Sequence, residues 1–377
     1  VTRTEGMCDM EKTLLRNVWI PDAKMEWHAG EVLFVGARIA EVSVVPLEAD
    51  ANAVDGKGGF LLPGFIHTHA HLMENNDGFN TENLHRWLRS GITHIRDQGI
   101  LSRHTAEDAV AWRDSLPSAE GYPSLSVCGP FLSAPGGYGG FSPIGVSSPA
   151  EAREAVRRLV DTGVDQLKLA YDEGYDESTR NLPMLGLDCI DAICDEAHRL
   201  GYTVSAHVTR VARLETMVDC GIDESAHACI DPMPDSLIER MVRNGVVMTP
   251  TLSMFAMFAD RTRLPLLDAA LANTLRFVRA GGVIGLGNDY LGEDPPWAPV
   301  GMPFLEMECL LRAGLTMSEV IRAATRGGAS ILGRQDLGRI EPGCRADLLL
   351  LTEDPTVGPE ALTSVSHVVK DGVIYKT

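Results

Sequence analysis

Eight short apolar runs, separated by amphipathic helical stretches, limit the folds open to the middle of this 377-residue chain. Strands that alternate with helices predict a parallel sheet, and eight strands are the number that closes a barrel. We therefore predict an α/β fold built on a (β/α)8 TIM-like barrel, with an open doubly wound sheet as the alternative. The predicted strands are Phe65–His71, Gly91–Asp97, Leu125–Gly129, Asp165–Ala170, Tyr202–His207, Ile222–His227, Val246–Thr251 and Gly282–Asp289.

The helical stretches carry recognisable ends. Ser148 precedes the stretch Pro149–Asp161 as an N-cap, and Gly163 follows it as a stop. We therefore predict a helix between these two residues, packed outside the strands.

The two ends of the chain have a different pattern. Short alternating runs fill residues 12–60 and recur in Ala346–Leu351, Val365–Lys370 and Gly372–Tyr375, which predicts strands. Each end is too short to form a stable core alone. We therefore predict one discontinuous β-sandwich domain from residues 1–60 and 338–377, with a metal-dependent hydrolase barrel at residues 61–337.

Charge and composition exclude several classes of partner. The net charge is −19 at pH 7, so nucleic acid and anionic membrane surfaces would be repelled. None of the apolar runs approaches the about 20 residues needed to cross a bilayer, and Val1–Glu11 is unlike a secretory signal. The eight cysteines include no C-x-x-C pair. We expect a cytoplasmic protein with a small-molecule substrate, no nucleic-acid partner and no membrane partner, and we leave a homo-oligomer open.

Side chains able to bind metal stand at the ends of five predicted strands. The C-terminal ends of barrel strands converge on one mouth, where such groups would meet. Isolated strand histidines are more often core residues, and a lysine at a strand end can also reach solvent. The order along the chain nevertheless favours a two-metal hydrolase. The residues are His69 and His71, then Lys168, His207, His227 and Asp289.

The first strand holds three histidines at a spacing of two. Residues two apart on a strand face the same side, so His67, His69 and His71 can all point inward. Spacing alone leaves two choices of ligand pair open: His67 with His69, or His69 with His71.

The segment Pro63–Leu72 resembles a motif of the amidohydrolase superfamily, Pro-Gly-(Leu/Phe)-Ile-Asp-x-His-x-His-Leu. Alignment from Pro63 makes His69 and His71 the ligands, and puts His67 where that superfamily usually has Asp or Asn. We interpret His67 either as a residue that supports the metal ligands from behind or as a structural residue. The resemblance covers nearly the whole chain, and it implies four further metal ligands: Lys168, His207, His227 and Asp289. In Gly285–Asp289, Asn288 replaces the usual Thr.

The resemblance implies a chemistry as well. In binuclear members of the superfamily the lysine reacts with carbon dioxide, and its carbamate bridges two metals. It implies N6-carboxylation of Lys168 and two divalent metal ions, which we expect to be zinc, although manganese, cobalt and iron suit similar donors. Two metals that share a water lower its pKa, so a bridging hydroxide would attack the substrate carbonyl. Asp289 would bind a metal and carry the proton to the leaving amine.

Two further stretches, Gly91–Gly99 and Gly129–Gly139, resemble the imidazolonepropionase-related and prolidase-like branch. Members of that branch cleave dipeptides or N-acyl amino acids, so we expect a binuclear amidohydrolase of dipeptidase type. A hydrolase of a cyclic amide, carbamate or urea is the alternative. Mononuclear deaminases usually carry a glutamate where this chain has Arg210, which disfavours that chemistry. A non-catalytic scaffold is disfavoured because all six ligand positions are filled.

The chain departs from that branch at two positions near the expected substrate. Tyr138 stands where the loop usually has histidine, and Val208-Thr209-Arg210 replaces Ala-Tyr-Thr. Our hypothesis is that Tyr138 and Arg210 contact the substrate, with the Arg210 guanidinium pairing with a carboxylate. The alternative for Arg210 is a cap or salt bridge on the following helix.

Overall fold

The computed structural model describes residues 11–73, 81–117, 121–172, 181–262, 266–291 and 298–377. Its strands are β1 Lys12–Pro21, β2 Trp27–Val35, β3 Arg38–Ser43, β4 Asn52–Pro63, β5 Phe65–Ala70, β6 Ile92–Asp97, β7 Ser124–Ser126, β8 Leu132–Ser133, β9 Ile144–Gly145, β10 Leu167–Ala170, β11 Val204–His207, β12 Glu224–Ser225, β13 Val247–Met248, β14 Leu348–Leu351, β15 Val365–Lys370 and β16 Val373–Lys376. Its α-helices are α1 Thr81–Arg89, α2 Ala106–Ser115, α3 Pro149–Thr162, α4 Leu187–Arg199, α5 Val211–Asp219, α6 Asp235–Asn244, α7 Leu252–Thr262, α8 Leu266–Arg279, α9 Phe304–Ala313, α10 Met317–Arg322 and α11 Gly328–Ile331. A π-helix covers Ala323–Gly327, and a 3-10 helix covers Pro359–Ser364.

Parallel strands follow one another side by side in chain order. β5, β6 and β7 form one sheet, and β10 to β13 lie in order in a second sheet. β8, which follows β7 in the chain, pairs with β10. The Asp165 N–H also donates to the Val127 carbonyl at 2.7 Å, so the two sheets are joined. The segment Gly282–Asp289, predicted as the eighth strand, lies between β13 and β5, because isolated bridges join Ile284 to Met248 and Leu286 to His67.

This arrangement is a TIM-barrel-like α/β fold, and its strands are shorter than the apolar runs predict. The run Ile222–His227 contains only the two-residue strand β12, and Gly282–Asp289 pairs through isolated bridges. The apolar runs continue beyond the hydrogen-bonded ladder because strands covered on both faces are apolar throughout. Hydrophobicity therefore located these segments but not the ends of their pairing, and it did not predict the two-residue strands β8 and β9.

Helix α3 shows how local sequence fixes the outer layer. The Ser148 side chain accepts a hydrogen bond from the Glu151 N–H, and proline occupies the first turn. Gly163 ends the helix with φ 96°, a left-handed conformation that glycine adopts without steric cost. The prediction of a helix between Ser148 and Gly163 is confirmed.

The two ends of the chain share one seven-stranded sheet, in the order β16-β15-β14-β4-β1-β2-β3. β3 lies at one edge of this sheet, and an isolated bridge joins its Arg38 to Arg345, just before β14. The sheet therefore curls around its own apolar cluster. The predicted pairing of the two ends is present. The described strands of these ends form a single hydrogen-bonded sheet, so the sandwich stays a prediction, as do its boundaries at residues 60 and 338.

β4 connects this sheet directly to the barrel. Its last residues, Phe60–Pro63, pair antiparallel with β14. Gly64 then donates its N–H to the Asp347 carbonyl at 2.7 Å, and β5 begins at the next residue. A Cβ at Gly64 would collide with the Thr93 side chain, so only glycine fits this crossing. The histidines of β5 are thus held a few residues from the terminal sheet.

Within the described ranges, no helix has the length and apolar character of a membrane span. The longest described helices, α3 and α8, have 14 residues each, compared with the about 20 that a bilayer requires. The seven cysteines inside those ranges are free thiols.

We expect Gly327→Ala to destabilise the fold. Gly327 has ordinary helical backbone angles, but a methyl group there would overlap the Ile284 carbonyl oxygen, which belongs to the segment that joins β13 to β5. Overpacking of this kind lowers the free energy of unfolding by about 1–3 kcal/mol. Urea denaturation would measure the change.

Gly358→Ala is the matched control. A Cβ at Gly358 meets only the far end of the flexible Glu360 side chain, at 2.9 Å. Equal midpoints for Gly327→Ala and the wild type would contradict the proposed close contact.

Candidate metal centre

His69, His71 and Asp289 bring three potential metal-binding atoms together. Asp289 Oδ1 lies 3.2 Å from His69 Nε2 and 3.1 Å from His71 Nε2. One ligand atom from each of the three side chains lies within 4.8 Å of the others, and all three residues are buried. His69 lies in β5 and His71 directly follows that strand, while Asp289 ends the segment 282–289.

Hydrogen bonds behind the two histidines fix their tautomers. His69 Nδ1 lies 2.9 Å from the Ala226 carbonyl oxygen, and His71 Nδ1 lies 2.6 Å from that of Gly99. A carbonyl can only accept, so each Nδ1 carries a proton, and in the neutral ring each Nε2 presents a lone pair toward Asp289. In the part of the chain that the structure describes, His69 Nε2 and Asp289 Oδ1 are buried and form no hydrogen bond. Buried acceptors that face one another fit a cation between them.

The charges of these three residues suit a cation as well. Burial lowers the pKa of His69 to about 3, so its imidazole is neutral. Burial alone would raise the pKa of Asp289, but His69 and His71 outweigh it and hold that pKa well below the usual range. Burial opposes protonation of His71, yet the Asp289 carboxylate raises the pKa of this histidine. When His71 is protonated, its second proton lies on Nε2, which faces Asp289. Metal binding would displace this proton, as it does from histidine ligands generally.

His207 and His227 form a second group of donors beside the first. His207 ends β11, and His227 follows β12. His207 Nδ1 lies 2.8 Å from His227 Nε2, compared with roughly 3.3 Å between two nitrogen ligands of a tetrahedral zinc. Burial lowers the pKa of His207 to about 4 and that of His227 well below its usual value. The ring centroids of His69 and His227 are 4.9 Å apart, so the two groups are in contact.

Lys168 is buried between the strands, which contradicts the alternative that it reaches solvent. Its Nζ donates a hydrogen bond to Gln98 Oε1 at 2.9 Å and lies 5.7 Å from the centroid of the Phe131 ring. Burial lowers the pKa of Lys168 to about 8, even though the nearby Glu224 carboxylate works in the opposite direction. A sizeable fraction of this amine is therefore neutral in mildly alkaline solution.

A buried ion pair contributes to the field around Lys168. Arg96 Nη1 lies 2.6 Å from Glu224 Oε2, and both side chains are almost wholly buried. The Thr249 hydroxyl donates to the other Glu224 oxygen at 2.7 Å. Burial would raise the pKa of Glu224, but Arg96 and Lys168 hold it below its usual value. Removing either partner would leave an uncompensated buried charge, which strongly destabilises a fold.

Asp97 fixes the loop that supports His71. Its carboxylate accepts the Leu72 N–H at 2.7 Å and the Gly99 N–H at 2.9 Å, and the Gly99 carbonyl then accepts the proton of His71 Nδ1. Burial raises the pKa of Asp97 to about 6. Asp97 and Gln98 were not predicted as site residues from the sequence, although polar residues at the end of a predicted barrel strand could have indicated them.

His67 lies outside the group of converging ligand atoms. Its Nε2 lies 2.8 Å from Asn288 Oδ1, and its ring packs on Trp87 with centroids 4.8 Å apart. Burial lowers the pKa of His67 to about 4. This contact braces the residue next to Asp289, and it supports His69 with His71 as the ligand pair.

The two residues predicted to contact substrate lie in different environments. Tyr138 stacks on the His207 ring, with centroids 4.2 Å apart and planes 19° apart. Arg210 is exposed and directly precedes α5. Within the described ranges its side chain makes no capping hydrogen bond to that helix, which weakens one alternative reading of Arg210.

Two residues at the site have left-handed backbones that the sequence did not indicate. Thr251 has φ 51° and Asp289 has φ 56°. Such conformations in residues other than glycine cost roughly 1–3 kcal/mol each and occur preferentially at functional sites. For Thr251, the usable signal was a polar residue at the C-terminal end of a predicted barrel strand.

Comparisons with known proteins agree with this geometry. The model of the amidohydrolase family matches residues 60–377. A Mycobacterium tuberculosis protein described as uncharacterized is 28% identical over 370 residues, covering 95% of this chain and 94% of the relative. An imidazolonepropionase of Streptomyces griseus is 26% identical over 363 residues, covering 88% of this chain and 86% of the relative.

A crystal structure of a Xaa-Pro dipeptidase with methionine bound in its active site has a TM-score of 0.83 with this chain. It is 20% identical and covers 97% of this chain and 100% of its own, and at this identity the likeness shows the fold alone. The predicted superfamily is confirmed, as is the TIM-barrel-like α/β fold. The chain belongs to the amidohydrolase family and is a metal-dependent hydrolase that acts on carbon–nitrogen bonds.

Proposed function

We propose that this protein hydrolyses the amide bond of a dipeptide or an N-acyl amino acid, using two divalent metal ions. The observation that carries the proposal is the contact between two buried groups of donors. His69 belongs to one group and His227 to the other, and their ring centroids are 4.9 Å apart. We take the ions to be zinc because imidazole and carboxylate donors suit it. The proposed ligands are His69, His71, Lys168, His207, His227 and Asp289.

Lys168 would serve as a ligand only after modification. An ammonium group here would face the cations, whereas a carbamate presents one negative charge and two oxygens. The neutral amine attacks the carbon of carbon dioxide, forms the N–C bond and releases one proton. Burial favours this step because it lowers the pKa of Lys168 to about 8. Gln98 Oε1 accepts the N–H that the carbamate nitrogen keeps.

Asp289 is the residue best placed to move a proton. When bound, the metal ions would lower the pKa of a water molecule and polarise the substrate carbonyl. The Asp289 carboxylate is ionised because His69 and His71 hold its pKa low. It can accept a proton from the attacking water and transfer it to the nitrogen of the leaving amine. The hydrogen bonds to Ala226 and Gly99 keep both histidine lone pairs aimed at the site throughout.

Tyr138 and Arg210 would hold the substrate. Tyr138 covers one face of the His207 ring, so it would limit the space beside that ligand. Arg210 is exposed beyond the end of β11, where a guanidinium could pair with the terminal carboxylate of a dipeptide or of an N-acyl amino acid.

A cyclic amide is the second candidate substrate. The relationship to the imidazolonepropionase of Streptomyces griseus favours it, because it spans most of both chains. A carbamate or urea would need the same attack at a carbonyl carbon. The two candidates differ in the product: a linear amide gives two molecules, and a ring gives one.

A metal and substrate screen tests the central proposal. Protein produced with zinc or manganese should contain about two divalent ions per chain, measured by plasma mass spectrometry. Dipeptides, N-acyl amino acids and cyclic amides would then be compared by kcat/KM. Activity confined to cyclic amides would select the second candidate, and a metal-replete protein with no bound ion would contradict both.

Lys168→Met should abolish carbamate formation and lower the metal content. Carbon-13 bicarbonate would give a carbamate resonance in the wild-type protein and none in the variant, since a thioether cannot react with carbon dioxide. Lys376→Met is the matched control because Lys376 is exposed in the terminal sheet. A resonance that persists in Lys168→Met would rule out the modification at this residue.

Arg210→Met should raise KM for substrates with a free terminal carboxylate by roughly tenfold, the scale of one charged hydrogen bond, and change kcat less. The same substrates with an amidated terminus supply the control, because they lack the charge that Arg210 would bind. An equal KM ratio for the two substrate series would assign Arg210 no part in carboxylate binding.

A further inference from the structure

Thr251 lies directly behind one of the proposed metal ligands. Its Oγ1 is 2.8 Å from His227 Nδ1, and the other nitrogen of that ring, Nε2, faces His207 Nδ1 at 2.8 Å. Thr251 and His227 are both buried. The hydroxyl is therefore positioned to decide which nitrogen of His227 carries the proton.

The backbone of Thr251 is held in an unusual conformation. Its φ of 51° lies in the left-handed region, where a β-branched residue is a rare outlier. An ordinary extended backbone at this residue would turn the side chain elsewhere. The surrounding structure must therefore impose the conformation that brings Oγ1 to His227.

Glu306 supplies a restraint on the residues that follow Thr251. Its two carboxylate oxygens accept the Leu252 N–H at 3.0 Å and the Ser253 N–H at 2.7 Å. These N–H groups belong to the first turn of α7, where helix donors lack partners within the helix. Glu306 is fully buried on α9, so one side chain ties α7 and α9 together next to Thr251.

We propose that Thr251 is a positioning residue for His227, and that Glu306 holds Thr251 in the conformation this task requires. The inference rests on the proposed function, in which His227 is a metal ligand. A lone pair on His227 Nε2 requires the proton on Nδ1, so Thr251 Oγ1 accepts that proton in a hydrogen bond. Without this acceptor, the proton can sit on Nε2 and bond to His207, which removes a lone pair from the site.

Thr251→Val tests the role of the hydroxyl. Valine keeps the β-branched shape and loses the hydroxyl that accepts from His227, so the affinity for one of the two metal ions should fall by roughly 10–100-fold, as for other partners of metal-bound histidines. Competition with a chromogenic chelator would measure both affinities, and the absorption spectrum of the cobalt-loaded protein would report the changed ligand field. Thr251→Ser keeps the hydroxyl, so its metal affinities and its cobalt absorption spectrum should match those of the wild type.

Glu306→Gln should lower the affinity for the same metal ion to a smaller degree. The amide of glutamine keeps one acceptor oxygen for the N–H groups of Leu252 and Ser253. Thr274→Val is the matched control: it also removes a buried hydroxyl, which in this case bonds to the Ala270 carbonyl within α8. Thermal melts of the metal-free proteins would show whether Thr251→Val simply damages folding, in which case Thr251→Ser and Glu306→Gln still decide the question.

If the wild type binds two metal ions and Thr251→Val binds both with unchanged affinity, this inference is overturned and the proposed function stands. A wild-type protein that binds no metal would overturn both. Loss of an ion in Thr274→Val to the same degree as in Thr251→Val would also reject a specific role for Thr251.

Discussion

The proposed site depends on the hydrogen bonds that three of its imidazoles, His69, His71 and His227, make to oxygens behind them. Ala226 and Gly99 supply carbonyl oxygens to His69 and His71, and Thr251 supplies a hydroxyl to His227. A neutral imidazole can present its lone pair from either nitrogen, so these oxygens decide whether the lone pairs converge. Two backbone carbonyls and one side-chain hydroxyl thus orient the proposed metal ligands.

The positions of the proposed ligands can be predicted from the sequence because short patterns encode both the order of the strands and the position along each strand. His69, His207 and Asp289 come from distant parts of the chain, yet each stands at or beyond the end of an apolar run, and a barrel brings such ends together. The helix at Pro149–Thr162 was predictable for a similar reason, since its capping residues are adjacent to it.

The supporting residues could not be found in this way. Glu306 acts on the first turn of α7 from a different helix, and no local pattern records a contact over that separation. The left-handed backbone of Thr251 is likewise a product of tertiary restraint, because threonine does not favour it. Strand ends were missed at β12 and β13 since burial on both faces extends the apolar run past the last paired residue.

The near-continuity of β4 with β5 couples the terminal sheet directly to the strand that carries the first proposed metal ligand. β14 pairs with the stretch of β4 that leads through Gly64 into the strand bearing His69. Removing the last forty residues would deprive Phe60–Pro63 of that partner and leave an apolar edge unpaired beside the proposed site. A trimmed barrel is therefore a poor surrogate for the intact chain in crystallisation or directed evolution.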